Sequence, residues 1–248
     1  MERQQVRHKP NGASAGKPAR QQTPDEGAPA PKSLIESAYR QLRRDIIGGR
    51  YPPGEKLRVE HLKTDYQVSA GTLREALALL VSDSLVVPQA QRGFRVAPMS
   101  LGDLEDLTRT RTLLECAAVR DSIQLGDDEW EARVVSAYHK LSRAEERLAQ
   151  DPVGLFDEWE ERNRDFHQAL TSACPSRWIL RFQGLLYRQA ERYRRLSAVT
   201  PNVPAIVHEE HRAIFEAVMD RDVAKADQVM AQHIRFALTV INGRGVLK

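Results

Sequence analysis

Cysteine is scarce: Cys116 and Cys174 are the only two among 248 residues. Two thiols, each inside a helical pattern, are too few for a disulfide framework and suit small buried side chains in a reduced cytoplasm, the expected location. Aromatic residues make up only 6% of the chain. No run approaches the ~18 consecutive apolar residues of a membrane span, so no membrane partner is expected. No apolar segment follows the N-terminal charges, so a secretory signal is not expected either. Strand-like alternation is rare beyond Ser100, and no His-Glu-x-x-His motif occurs. No acidic residue is placed by sequence as a general base beside metal ligands, which counts against a metal-dependent hydrolase.

What the chain does have is an uneven spread of charge. Residues 1–31 carry 5 basic and 3 acidic side chains, residues 32–99 carry 11 and 7, and residues 100–248 carry 21 and 24. The excess of +4 in the middle segment is modest but has the sign that phosphate neutralisation requires, whereas the mildly acidic remainder is a poor nucleic-acid surface. Residues 1–31 are rich in Gln, Pro, Gly and Ala without periodic apolar residues, so a flexible tail is expected there. Its Arg3, Arg7, Lys9, Lys17 and Arg20 either brush DNA or are simply solvated. The length leaves room for a DNA-binding module over 32–99, a second domain with its own core over 100–242 and a short tail over 243–248.

The most informative stretch runs from Val68 to Leu80. Leu73, Leu77 and Leu80 stand at i, i+4 and i+7, an apolar stripe that docks on a small core, while Ser69, Thr72 and Arg74 point elsewhere. Ser69 is a good N-cap, and a capped helix N-terminus suits a phosphate. Upstream, an amphipathic run from Leu34 to Ile47 ends at Gly48-Gly49, and Tyr51 to Leu57 then turns the chain into a short segment from Arg58 to Tyr66. Downstream, Leu85-Val86-Val87 and Phe94-Arg95-Val96 are β-prone and flank Pro88 to Gly93, a hairpin with Arg92 at its tip. Three helices followed by a hairpin make a winged helix-turn-helix. Each feature alone describes an ordinary solvated helix or hairpin; their order and spacing together point to double-stranded DNA.

These residues resemble the GntR family of bacterial transcription regulators, which shares the Pro-Pro-Gly-x-x-Leu of 52–57, the Val-Ser-x-x-x-x-Arg-Glu-Ala-Leu of 68–77 and the Arg-Gly of 92–93. The resemblance implies that Ser69, Thr72, Arg74, Arg92 and Gly93 face an operator, with Arg58 and Lys63 on phosphates. Many members of the FadR branch carry Arg directly after the Ser and Pro where Thr72 stands. Ala70-Gly71-Thr72 departs from that pattern, so a different operator is expected.

From Ser100 on, six segments show helical spacing: Asp103 to Gln124, Asp128 to Ala149, Val153 to Ala173, Ser176 to Ala198, Val203 to Met219 and Asp222 to Asn242. Short connections imply antiparallel neighbours, so the fold class is mainly α: a winged helix-turn-helix followed by an antiparallel bundle of about six helices. His167, His211 and His233 fall on three segments, each in phase with apolar neighbours, and should face the interior. Asn163 precedes His167 by four residues and shares its face, whereas Asp165 is rotated by roughly 200°. One buried histidine is ordinarily a hydrogen-bonded core residue; three converging, with an Asn at i−4, point to a metal site. Arg111 either pairs with Glu115 at i+4 on the surface or faces the cavity and clamps an anion. Trp178, Phe182, Leu185 and Leu196 mark an apolar face that Gln189 and Arg192 interrupt, which makes those two weaker pocket candidates.

Joined to a GntR-type winged helix, such a bundle resembles the FCD effector-binding domain of the FadR branch, and the likeness extends over residues 33–242. The resemblance implies a divalent metal (Zn, Ni, Fe or Mn) on His167, His211 and His233, in a group where an Asp commonly stands four residues before the first His. Here that position is Asn163, a neutral and weaker oxygen ligand. It also implies a small-molecule effector, a carboxylate, for which Arg111 and, more weakly, Gln189 and Arg192 are the candidate contacts. One small module makes too few contacts for specificity, so a homodimer on a two-fold operator is expected. A metal-free sensor, whose histidines hold the effector or simply pack, stays open beside this reading.

Overall fold

The computed structural model describes residues 33–89 and 93–247. The tail over 1–31 and Arg92 lie outside the described residues. Helix α1 (Leu34–Ile47) starts where Ser33 Oγ accepts the Glu36 N–H at 3.2 Å, and its Ala38, Leu42 and Ile46, spaced four apart, turn inward together with Ile47. A short strand, β1 (Lys56–Leu57), precedes α2 (Val59–Asp65) and α3 (Ala70–Ser82), and β2 (Val86–Gln89) and β3 (Gly93–Val96) follow. The three strands form one antiparallel sheet in the order β1-β3-β2, with Leu57 opposite Phe94 and Val86 opposite Val96. The sequence predicts the β2-β3 hairpin but reads β1 only as a turn. Two residues have no period, and their pairing with β3 spans most of the module.

Leu73, Ala76, Leu77 and Leu80 of α3 are buried, and the three leucines join Leu42, Leu57 and Val96 in one apolar core. Each fully buried side chain of this size contributes about 1.5–3 kcal/mol relative to exposure. That core fixes which side of α3 is left outward.

Six helices make up the second half: α4 (Leu101–Leu125), α5 (Asp128–Leu148), α6 (Phe156–Thr171), α7 (Arg177–Ala198), α8 (Val203–Met219) and α9 (Val223–Arg244). Ser100, Asp127, Ser176 and Asp222 start four of them by accepting the backbone N–H three residues on. Helix α6 begins three residues later than the sequence predicts. Asp151 Oδ1 takes the Gly154 N–H at 2.8 Å, which holds a turn that leaves Val153 exposed, and the helix starts at buried Phe156.

Helix α4 packs on α7 and α9, α5 on α6 and α8, and α8 on α9. Their core contains Val119, Trp130, Leu141, Phe166, Leu170 and Ile214, and the Trp130 indole ties α5 to α6 by donating to the Ala169 carbonyl at 3.0 Å. A smaller cluster of Leu104, Leu107, Ala190, Tyr193 and Ile241 forms where α4, α7 and α9 meet. Among the described residues, no helix is long and apolar enough to cross a membrane.

Candidate functional site

The outward side of α3 carries the residues that the sequence assigns to DNA. Ser69 Oγ accepts the Thr72 N–H at 3.1 Å and lies 2.9 Å from Thr72 Oγ1, so the two hydroxyls and the helix N-terminus form one polar edge. Arg74, one turn further, is exposed and makes no ion pair among the described residues. Arg58 is exposed at the start of α2, and Lys63 on α2 makes a solvent-facing i,i+3 pair with Glu60 at 2.5 Å, weak enough to yield to a phosphate. Gly93 opens β3 at φ +88, a conformation that favours glycine where the wing turns back. Arg95 is turned inward instead, donating to the Gly54 carbonyl at 2.9 Å.

Gln189 and Arg192 are not among the residues that line the bundle cavity, contrary to the sequence reading. Gln189 Nε2 donates to the Asp83 carbonyl, and Arg192 Nη1 donates to the Ala97 carbonyl at 2.8 Å. Between them, Glu191 pairs with Arg43 of α1. This side of α7 therefore grips the winged helix and the linker. The cause is helical phase: at ~100° per residue, Arg192 and Arg194 project about 200° apart, so only one of them reaches the bundle interior. Trp178 and Phe182, predicted on an apolar face of α7, are 52% and 48% exposed and stack on each other.

The three histidines do converge. His167 comes from α6, His211 from α8 and His233 from α9, and one ring nitrogen of each lies within 4.8 Å of the others. Each ring meets a different glutamate through Nδ1: His167 meets Glu115 at 3.1 Å, His233 meets Glu210 at 3.0 Å, and His211 meets Glu145. Glu115 and Glu145 are held in the carboxylate form and only accept, so Nδ1 of His167 and of His211 carries the proton and their Nε2 lone pairs are left for another partner. Nε2 of His167, Nε2 of His211 and Oδ1 of Asn163 are all buried without one. An unsatisfied buried acceptor costs about 1–3 kcal/mol, a cost that a bound cation removes. In donor type, burial and carboxylate backing, these residues fit a divalent metal ion.

Burial pushes the His167 imidazole down to about 4 against the pull of Glu115, and it pushes His233 well below its ordinary value. Both rings are then neutral, as ligands, at neutral pH. Burial alone would raise Glu115, but Arg111 and His167 overcome it and hold the carboxyl down to about 2. Glu145 is also lowered, by His211 and His208 against burial, whereas burial pushes Glu210 up to about 7.

A cavity of about 40 Å³ opens beside the histidines, its walls including Arg111, Trp159, Asn163, His167, Arg194 and His233. Arg111 combines the two options offered by the sequence, but with the ion pair buried rather than on the surface: its Nε donates to Glu115 Oε1 at 2.8 Å while the side chain lines the cavity. Arg194 is the residue that sequence reasoning misses. Its Nε donates to Glu160 Oε2 at 2.9 Å, its Nη2 donates to Glu160 Oε1 and to the Tyr187 carbonyl, and its guanidinium lies 3.9 Å from the Tyr187 ring centroid. Arg194 Nη1 and the indole Nε1 of Trp159 remain buried donors without partners.

Residues 34–96 match the family described as "Bacterial regulatory proteins, gntR family", and residues 106–236 match the FCD domain. The HTH-type transcriptional regulator BphR of Paraburkholderia xenovorans (strain LB400) is 51% identical over 217 residues, which cover 88% of this chain and 89% of that protein. The HTH-type transcriptional repressor GlaR of Escherichia coli (strain K12) is 37% identical over 207 residues, covering 82% of this chain and 93% of its own. Among solved structures, E. coli McbR/YncC has a TM-score of 0.67 at 19% identity, covering 86% of this chain and 99% of that one, a likeness of fold. A GntR transcriptional regulator from Rhodococcus sp. RHA1 reaches a TM-score of 0.66 at 25% identity, covering 84% and 97%.

Proposed function

Because the chain belongs to the GntR family of bacterial regulatory proteins, with an FCD domain as its second half, and is thus a DNA-binding transcription regulator, we propose that a divalent metal and a small carboxylate effector in the bundle set its affinity for an operator. The observation that carries this reading is the histidine cluster, in which three rings converge, each Nδ1 is hydrogen-bonded to its own glutamate, and the buried Nε2 atoms of His167 and His211 have no partner. His167, His211 and His233 hold the metal, with Asn163 Oδ1 as a weaker fourth ligand. Bound there, the metal supplies a positive charge that attracts a carboxylate, and Arg111, Arg194 and Trp159 offer hydrogen-bond donors around it. A hydrolase would need an acidic group free to act as base, and the three glutamates nearest the cluster are each hydrogen-bonded to an imidazole Nδ1.

In this reading a DNA-binding module over 32–99 inserts α3 into the major groove, with Ser69, Thr72 and Arg74 as the contacts to bases and phosphates and Arg92 and Gly93 as those to the minor groove. Arg58 and Lys63 meet backbone phosphates. The regulator acts as a homodimer, since a two-fold operator doubles the few contacts that one module makes. Metal content of protein purified without chelator tests the first half of the reading. The wild type should carry about one divalent ion per chain, and His167→Ala, His211→Ala and His233→Ala should each reduce it. Stoichiometric metal that survives the triple substitution defeats the assignment.

A further inference from the structure

We propose that the bundle cavity takes a divalent cation and a small organic anion as a pair, each binding more tightly when the other is present. This rests on the metal reading above and adds to it a mutual dependence that the charges in the cavity impose.

The cation side comes first. The four donors facing the cation are three imidazoles and the Asn163 amide oxygen, all neutral as ligands, so the first shell contributes no negative charge. The nearest carboxylates act only through imidazole Nδ1, and two of the three have a second claim on them. Glu115 is bonded to Arg111 at 2.8 Å and Glu145 to His208 at 2.7 Å. A cation bound alone therefore keeps most of its charge in an interior where uncompensated charge is expensive.

The anion side mirrors this. The two guanidiniums on the cavity wall, Arg111 and Arg194, are already neutralised by buried partners, Glu115 and Glu160. An anion entering alone finds the unpaired N–H groups of Arg194 Nη1 and Trp159 Nε1 but no uncompensated positive charge. With the cation present, one carboxylate both supplies the missing charge and reaches those donors. The volume limits the partner's size: about 40 Å³ is the space of roughly three water-sized probes, enough for a carboxylate of a few heavy atoms.

Thermodynamic linkage makes the dependence reciprocal, so each ligand tightens the other by one common factor. The test is calorimetric titration of chelator-stripped, full-length protein with Zn²⁺ or Mn²⁺, alone and with saturating formate, acetate, glycolate or malonate, and of each anion with and without metal. At least one anion should tighten metal binding by about tenfold or more, and metal should tighten that anion equally. Asn163→Asp, which places a carboxylate in the shell, should bind metal tightly alone and reduce the anion's effect to less than about threefold. Metal affinity in the wild type that none of these anions changes overturns the pairing while leaving the metal site standing. Metal bound by neither wild type nor Asn163→Asp overturns both readings. An anion that binds stripped protein as tightly as loaded protein also refutes the pairing.

Discussion

The two halves of the chain keep their polar groups in opposite places. In the winged helix the core of Leu42, Leu57, Leu73, Leu77, Leu80 and Val96 is apolar, and the side chains proposed to meet DNA stand on the outside. In the bundle, Arg111, Glu115, Glu145, Glu160, Arg194 and His211 are all buried, and among the described residues every buried charged side chain lies there. An apolar interior stabilises with little specificity, whereas a buried charge destabilises unless it is paired. The first half thus uses its interior for stability and leaves its surface for DNA; the second sets stability at risk inside to build the proposed ligand site.

The sharpest way to break this contrast is to unpair a charge in the bundle. Glu160→Ala leaves the Arg194 guanidinium buried without the carboxylate that takes both its Nε and Nη2, and unfolding in urea should show a loss of about 3–5 kcal/mol. A loss under about 1 kcal/mol would mean that the bundle interior tolerates a lone charge. The counterpart in the winged helix is Leu77→Ala, at a fully buried apolar position, where the removed contacts and the residual cavity should cost about 2–5 kcal/mol. Arg74→Ala, three residues away on the outward face of the same helix, should leave the melting temperature unchanged and weaken operator binding by about 1–3 kcal/mol. Equal operator affinity for Arg74→Ala and wild type, read by fluorescence anisotropy, would remove the surface half of the contrast.

Local periodicity made most of this architecture legible. The amphipathic run from Leu34 to Ile47 is α1 to the residue, and the Ser69 cap and Leu73-Leu77-Leu80 stripe are α3 as built. The inward phase of His167, His211 and His233 is equally a local property, and so is the shared face of Asn163 and His167. What stayed hidden is whatever depends on which helices become neighbours. Glu145 and Glu210 look like solvated charges in sequence, because their imidazole partners lie on other helices. Arg194 sits in the polar run Glu191 to Arg195, and only its spacing of seven from Tyr187 hints that it turns inward. Gln189 and Arg192 were assignable to an interior but not to which one, since the winged helix that receives them lies far away in the chain.

The grip of Arg192 on the backbone just after the wing carries a consequence for the shape of the operator. Its guanidinium reaches the Ala97 carbonyl at 2.8 Å and the Pro98 carbonyl at 3.5 Å, so the few residues that join the two halves are clamped rather than left to swivel. In the proposed dimer, each α3 is then presented at a separation and a twist that the protein decides in advance. One extra base pair between the half-sites moves the second by about 3.4 Å and turns it by roughly a tenth of a revolution around the duplex. A clamped joint has little slack to follow that displacement, so the spacer length becomes part of the message that the regulator reads.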